Sequence, residues 1–415
     1  MMERFPRPEF QSGYTIPNLN LSGINSFRFE YIDPLLLLVA LILAALCVFK
    51  WRSRVGLFIL SVFSLAYFGF YRGGCICPAG SLQNIILAWF DRSYLLPVTV
   101  LMLFLLPLLF SLFYGRVFCG SVCPLGALQD LVIFRPVRLP AWLTAALCLI
   151  PYIYLGLTVI SVATGSGFLV CRYDPFIAFF HRSGPTTTLL LGSIFLIAGI
   201  VIARPYCRFF CPYGLILSWL SFFAGRRLQI TPEKCIQCRL CESACPSDAI
   251  LKPAEGIQKE RKIDSRLGVR RLALLTLLLP IIIGVAAKIT GELIKPFANA
   301  NPQVQLYRQL TQLKPGGQQP VSLEIQAFRE SGDSVTGLAK KAAAIWRQTQ
   351  WGGWLLGGFL GFMIWLTLIR GAVIRTRDKY EPDPARCFHC GRCLTFCPLP
   401  YKTKPKIIIG TANER

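Results

Sequence analysis

Long apolar runs separated by short polar turns set the pattern of this chain from residue 33 onward. A helix needs about 20 apolar residues to cross the hydrocarbon of a bilayer, with about 17 as a practical minimum. Such runs predict seven spans, over 33–49, 55–71, 95–114, 141–160, 186–203, 272–287 and 351–369. The stretch 212–223, PYGLILSWLSFF, is too short to span and reads as a re-entrant or interfacial helix. No cleavable signal peptide is expected, because residues 1–30 are polar and mixed in charge. Gly353, Gly357 and Gly361 recur at i, i+4 and i+8 in the last span. A stripe of small residues lets two helices approach closely in lipid.

Composition agrees with the pattern. A chain of 415 residues, 54% hydrophobic and only 16% charged, has too little polar surface to cover itself in water. Ordinary soluble chains carry about 25% charged residues. A cytosolic enzyme, a disordered chain and a fibrous protein are excluded. The net charge of +23 would suggest nucleic acid in a soluble protein. Here the basic residues flank apolar runs, so they are read as topology signals and no nucleic-acid partner is expected.

An odd number of spans puts the termini on opposite sides. With the N-terminus outside, the inner segments 50–54, 115–140, 204–271 and 370–415 hold 29 of the 44 Lys and Arg residues. The positive-inside bias therefore predicts a multi-pass protein of a bacterial inner membrane, with a periplasmic N-terminus and a cytoplasmic C-terminus. The expected order is a periplasmic segment 1–32 and a membrane domain 33–230 with five helices. A first cytoplasmic segment 231–265 and a helical hairpin 266–370 with outer loop 289–350 follow, then a second cytoplasmic segment and tail 371–415.

The chain has 17 cysteines and two histidines, His181 and His389. Two histidines that are not paired for axial ligation, and no Cys-x-x-Cys-His, leave no expected haem. Redox chemistry would fall to sulfur, flavin or quinone. The run Cys235-Ile-Gln-Cys238-Arg-Leu-Cys241-Glu-Ser-Ala-Cys245-Pro246 recurs as Cys387-Phe-His-Cys390-Gly-Arg-Cys393-Leu-Thr-Phe-Cys397-Pro398. Both are the bacterial ferredoxin spacing, in which three thiolates wrap one cubane and the fourth passes to the neighbouring cluster. Zinc sites instead pair Cys-x2–4-Cys units across a longer gap. The expectation is two 4Fe–4S clusters in one ferredoxin-like domain assembled from two separated segments. Cys235, Cys238, Cys241 and Cys397 would hold one, and Cys387, Cys390, Cys393 and Cys245 the other. His389 is read as a tuning or filling residue, not a ligand.

A shorter repeat runs through the membrane part, as Cys77-Pro78-Ala79-Gly80, Cys123-Pro124-Leu125-Gly126 and Cys211-Pro212-Tyr213-Gly214. Cys75, Cys119 and Cys207 each precede one copy. Proline suits the first position of a helix, whose free N–H groups favour a thiolate. Cys119, Cys123, Cys207 and Cys211 form a candidate inner-edge site with the four thiolates a further cluster needs. Cys75, Cys77 and Cys171 form a candidate outer-edge site near Asp174 and His181, with a disulfide as the competing use. Cys47 and Cys148 fall mid-span and read as packing residues.

Together, YRGGCICPAGSLQN, GRVFCGSVCPLGALQD, ARPYCRFFCPYG and the two ferredoxin runs resemble the NosR/NapH-type membrane polyferredoxins, over about residues 55–265 and 380–400. The resemblance implies electron transfer between a cytoplasmic or quinone pool and a periplasmic partner or flavin, within a respiratory complex. NosR-like chains are similar but carry an N-terminal flavin domain, and NapH-like proteins lack the hairpin between the ferredoxin runs. Asp333-Ser334-Val335-Thr336-Gly337-Leu338-Ala339 looks like the covalent-FMN signature of such flavin domains, with Ala339 where the flavin-bearing Thr would stand. Covalent FMN is therefore not expected. A transmembrane electron conduit is the leading expectation. Its alternatives are a quinol dehydrogenase subunit, in which Asp130, Asp174 and His181 would serve quinol protons, and a non-redox assembly or regulatory membrane protein.

Overall fold

The computed structural model describes residues 31–74, 78–92, 94–134, 136–230, 235–253, 261–312, 323–330, 334–372 and 380–398. The expected periplasmic segment up to residue 30, Cys75 and Cys77, and the tail from residue 399 lie outside the described residues.

The chain enters through α1 (Ile32–Phe49), whose Leu37, Leu41, Ala44 and Val48 are buried while Leu35, Val39 and Ile42 stay exposed. The buried residues recur every three or four positions, so one face packs inward and the other offers apolar surface to hydrocarbon. Ser53 caps α2 (Arg54–Ser64) by accepting the Gly56 N–H at 3.2 Å, and α2 runs on into a π-helical turn, Leu65–Tyr71. Then follow α3 (Pro78–Phe90) and α4 (Val98–Tyr114). Gly115, at φ +70°, ends α4 in the left-handed backbone that suits glycine. A second π-helical turn, Phe118–Val122, leads to α5 (Pro124–Val132).

The run expected as one span over 141–160 is broken. It forms α6 (Ala141–Leu147) and α7 (Ile150–Ala163), with Cys148 and Leu149 between them. Pro151 lacks the N–H that would continue the ladder across this break. Cys148 lies in this turn, within electrostatic reach of Arg386 and Arg208. Short helices α8 (Leu169–Arg172) and α9 (Ile177–His181) precede α10 (Thr186–Val201). Next come α11 (Pro205–Phe209) and α12 (Pro212–Phe222), the latter an 11-residue helix over the expected re-entrant stretch.

Beyond residue 230, α13 (Leu240–Ala244) and strand β1 (Ile250–Leu251) form the first ferredoxin half. Two long helices, α14 (Arg261–Leu293) and α17 (Val335–Ala372), make a hairpin joined through α15 (Pro302–Gln312) and α16 (Leu323–Glu330). Close packing of the hairpin follows from its glycines. A Cβ on Gly361 would stand 2.9 Å from Ile283 Cα, and one on Gly357 2.7 Å from Ala287 Cα. Ser334 caps α17 by accepting the Gly337 N–H at 3.1 Å, so the flavin-like stretch from Ser334 to Ala339 opens a helix. Strand β2 (Glu381–Pro382) and α18 (Arg392–Phe396) complete the second half. β2 pairs antiparallel with β1, Ile250 opposite Pro382 and Leu251 opposite Glu381, and so joins segments about 130 residues apart in sequence.

Five helical runs among the described residues are long and apolar enough to cross a membrane: Ile32–Phe49, Arg54–Tyr71, Ala141–Ala163, Ala273–Ala300 and Val335–Ile369. The other two expected positions hold shorter apolar helices, Val98–Tyr114 and Thr186–Val201. At 1.5 Å per residue these are about 24–26 Å long, somewhat under the hydrocarbon thickness.

Candidate iron–sulfur sites

Each ferredoxin loop turns on two left-handed residues at matching positions. Gln237 and Arg239 have φ of 54° and 61°, and His389 and Gly391 have φ of 55° and 73°. This conformation is costly for side chains other than glycine and is kept where the surrounding loop fixes it. It curls the loop so that backbone N–H groups face sulfur. His389 N donates to Cys387 Sγ at 3.4 Å, and Ala249 N to Cys245 Sγ at 3.4 Å. Hydrogen bonds to the sulfurs are a principal control of cluster potential.

The thiols gather in two groups of four. Cys235, Cys238, Cys241 and Cys397 line one cavity of about 280 Å³, open solvent included, beside Tyr380. Cys245, Cys387, Cys390 and Cys393 line another of about 340 Å³. In each group the fourth cysteine comes from the other motif. Among the described residues, no three His, Cys, Asp or Glu side chains stand close enough to hold a single metal ion. The thiols surround space and do not converge on a point, a donor set that fits a cubane better than zinc. Burial pushes the Cys241 thiol up to about 11 and the Cys387 thiol up to about 12. Metal must therefore displace protons to bind there, which couples loading to folding.

His389 is buried, with Nδ1 unpartnered, against the ring of Phe49 at 6.0 Å. Burial lowers its pKa to about 4, so the imidazole is neutral at physiological pH.

A third thiol group sits where the membrane helices meet these loops. Cys119 follows α4, Cys123 precedes Pro124 of α5, Cys207 lies in α11, and Cys211 accepts the Gly214 N–H at 3.2 Å at the start of α12. They stand close enough to act on one another. Burial first, then the thiols of Cys207 and Cys119 and more weakly Cys211, push the Cys123 thiol well up. The fully buried Gln129 donates from Nε2 to Cys207 Sγ at 3.1 Å, and its Oε1 accepts the Tyr206 N–H at 3.1 Å.

Phe388 of the second ferredoxin loop meets the turn of Cys119, with the Arg116 guanidinium 4.4 Å from its ring centroid and that of Arg204 5.2 Å away. Arg204 is 3% exposed and sits at φ 49°. It donates to the carbonyls of Cys119 and Gly120 and, at 3.1 and 2.8 Å, to both carboxylate oxygens of Asp130. Arg116, Ser218 and Ser221 bond the carbonyls of Ala385 and Pro384 at 2.8–3.0 Å. A Cβ on Gly120 would overlap the Phe388 carbonyl. The second loop therefore packs backbone to backbone on the turn that carries Cys119.

Elsewhere among the membrane helices, Cys171 accepts from Gln83, Asp174 is buried, and His181 is exposed against Gly73. Arg116, Arg204, Gln83, Gln129 and Phe388 are the site residues that sequence reasoning passed over. The one available signal was Leu-Gln at the same distance after Cys77 and Cys123.

Comparison with known proteins points the same way. Models of three families, each described as a 4Fe-4S binding domain, match residues 96–141 with 184–231, 228–251 and 384–403. The chain thus carries several 4Fe–4S binding domains. Over 64 residues it is 41% identical to "Uncharacterized protein MJ0749" of Methanocaldococcus jannaschii, covering 15% of this chain and 26% of that protein. Over 69 residues it is 36% identical to "Putative electron transport protein YccM" of Escherichia coli (strain K12), covering 17% of this chain and 19% of that one. "Uncharacterized protein MJ0750" of M. jannaschii is 29% identical over 183 residues, 43% of this chain and 76% of the relative. The chain thus spans about a quarter and a fifth of the first two relatives. No solved structure matches it significantly.

Proposed function

We propose that this chain is a membrane-bound iron–sulfur electron carrier. It passes electrons between the cytoplasmic side or quinone pool and a redox partner outside, flavin-bearing or otherwise, as a subunit of a respiratory complex. One observation carries the reading: Phe388 of the second ferredoxin loop lies between Arg116 and Arg204, directly against the turn of Cys119. A chain built only to store metal has no need of that contact. The likeness of this chain, over 69 residues, to a protein with an electron-transport name supports it.

Cys235, Cys238, Cys241 and Cys397 would hold one cluster, Cys387, Cys390, Cys393 and Cys245 a second, and Cys119, Cys123, Cys207 and Cys211 a third. When bound, such clusters exchange single electrons at potentials set by burial, charge and hydrogen bonds to sulfur. The chain supplies those controls. Cys119, Cys207, Cys241 and Cys393 are buried from water, His389 N and Ala249 N donate to sulfur, and two guanidiniums put positive charge between the second and third groups. Seven crossings, counting α4 and α10, with the N-terminus outside and the C-terminus inside, complete the reading. The basic residues favour that orientation. The motif resemblance to NosR/NapH-type polyferredoxins belongs to the same proposal.

Proteoliposomes loaded with dithionite and facing external ferricyanide test it. Wild-type vesicles should reduce ferricyanide, and Cys393→Ser vesicles should not. Equal rates in wild-type and protein-free vesicles would overturn the proposal.

A further inference from the structure

The glutamine clip at Cys207 occurs twice. Gln129 is the sixth residue of α5, which opens on Pro124 after the π-helical turn Phe118–Val122. Gln83 is the sixth residue of α3, which opens on Pro78, and the π-helical turn Leu65–Tyr71 lies upstream. Both side chains are fully buried. Gln83 donates from Nε2 to Cys171 Sγ at 3.1 Å while its Oε1 accepts the Val170 N–H at 2.8 Å. Each atom of the Gln129 clip has its counterpart: a cysteine sulfur, and the backbone N–H of the residue before that cysteine.

The two clipped cysteines continue alike. Four residues after Cys207 stands Cys211, followed by Pro212 and accepting the Gly214 N–H. Three residues after Cys171 stands Asp174, followed by Pro175 and accepting the Phe176 N–H at 2.9 Å. Asp174 therefore occupies the place that a thiol takes in the first group. It is 6% exposed, and among the described residues the groups acting on its carboxyl are the backbone N–H groups of Phe176 and Ile177, with no cationic side chain. A buried carboxylate without a cation is costly unless something positive joins it. Asp174 lines a cavity of about 310 Å³, open solvent included, together with Pro78, Gly74 and Phe180 from its own side and Cys123 and Pro124 from the first group. One space thus reaches from Asp174 to Cys123.

We propose that Cys171 and Asp174 are ligands of a second membrane iron–sulfur centre, the internal counterpart of the Cys119, Cys123, Cys207 and Cys211 group, with a carboxylate in the place of its last thiolate. The inference rests on the reading of that group as an iron–sulfur site. Cys75 and Cys77 lie outside the described residues, and nothing is taken from their placement. Under the orientation proposed above, the new centre lies toward the outer side and the first toward the inner. The two internal copies would then divide the crossing between them. A carboxylate is a harder ligand than thiolate, so this centre should release iron more readily to chelators than the ferredoxin clusters do.

The test uses the full chain, purified anaerobically, with iron and acid-labile sulfide assayed beside EPR and Mössbauer spectra. Asp174→Ala and Cys171→Ala should each lose iron and acid-labile sulfide relative to wild type and keep both ferredoxin signals. Asp174→Cys should keep its iron with a shifted spectrum. Wild-type iron, sulfide and spectra in both alanine variants would overturn the proposal. If the alanine variants lose all clusters through misfolding, Asp174→Cys decides: a shifted spectrum supports the proposal and an unshifted one overturns it. Cys123→Ala separates the two levels. If it too keeps all its iron, the reading beneath fails; if it loses iron while the Asp174 and Cys171 variants do not, only this inference fails.

Discussion

Removing the Arg204 guanidinium should destabilise the membrane domain more than any other single truncation at the ferredoxin contact. Arg204 is 3% exposed and binds two carbonyls and both oxygens of Asp130, whose side chain is 23% exposed. Burial alone would raise the Asp130 carboxyl, but Arg204 first, then Arg392 and Arg54, outweigh it and hold it below the usual range. Arg204→Met keeps the bulk and removes every Arg204 donor, which leaves the partly buried carboxylate only the longer 3.9 Å ion pair with Arg392 among the described residues. Breaking the pair of Arg204 with Asp130 from one side costs about 3–5 kcal/mol. In a domain of 150–250 residues, each kcal/mol is worth about 2–4 °C, so the unfolding midpoint should fall by about 6–20 °C. The assay is thermal unfolding of the cluster-loaded protein in detergent, carried through a double-mutant cycle with Asp130→Leu. The double variant should be less destabilised than the sum of the singles by at least about 1 kcal/mol. Strict additivity, or a midpoint within 2 °C of wild type for Arg204→Met, would refute the reasoning.

Cys241→Ser and Cys393→Ser should each abolish one 4Fe–4S EPR signal, whereas Cys47→Ser and Cys148→Ser should leave iron content unchanged; loss of iron in the second pair would mean they are ligands. Gly357→Ala should lower thermal stability by about 1–3 kcal/mol, because the added methyl meets backbone of α14 that cannot yield as a side chain would; an unchanged midpoint would show that the hairpin is loosely packed. Gly120→Ala should push the Phe388 loop off the Cys119 turn and slow vesicle electron transfer while both ferredoxin signals persist. Wild-type rates there would remove that contact from the path. A cysteine in place of Arg308, exposed on α15, should react with an impermeant thiol reagent in intact cells above the wild-type background; reaction only after lysis would invert the topology.

The ferredoxin loops were legible because cluster ligation is local: three cysteines must follow within one turn of chain, and the spacing records it. The crossed gathering of Cys397 with Cys235 and of Cys245 with Cys387 follows from the same rule. Apolar runs likewise announced five helices long enough to span, since hydrocarbon demands length, while the other two expected positions hold shorter helices. What stayed hidden depends on tertiary contact. Arg116 and Arg204 had been absorbed into the count of inward-facing charge, and nothing in the sequence separates a topology signal from a buried guanidinium stacked on Phe388. Gln83 and Gln129 look like ordinary polar residues until their sulfur partners, 88 and 78 positions away, come into view. The break at Cys148 left one mark in the sequence, Pro151, which the equally apolar residues on both sides masked.

The central claim is that this chain holds redox-active iron–sulfur clusters. Anaerobic iron and acid-labile sulfide analysis of the purified protein, with EPR recorded through a redox titration, tests it most directly. The account predicts more than about eight irons, the content of two 4Fe–4S clusters, with matching sulfide and reduced-state signals that appear and vanish at defined potentials. Bound zinc, or iron without sulfide and without any signal across the titration, would contradict it.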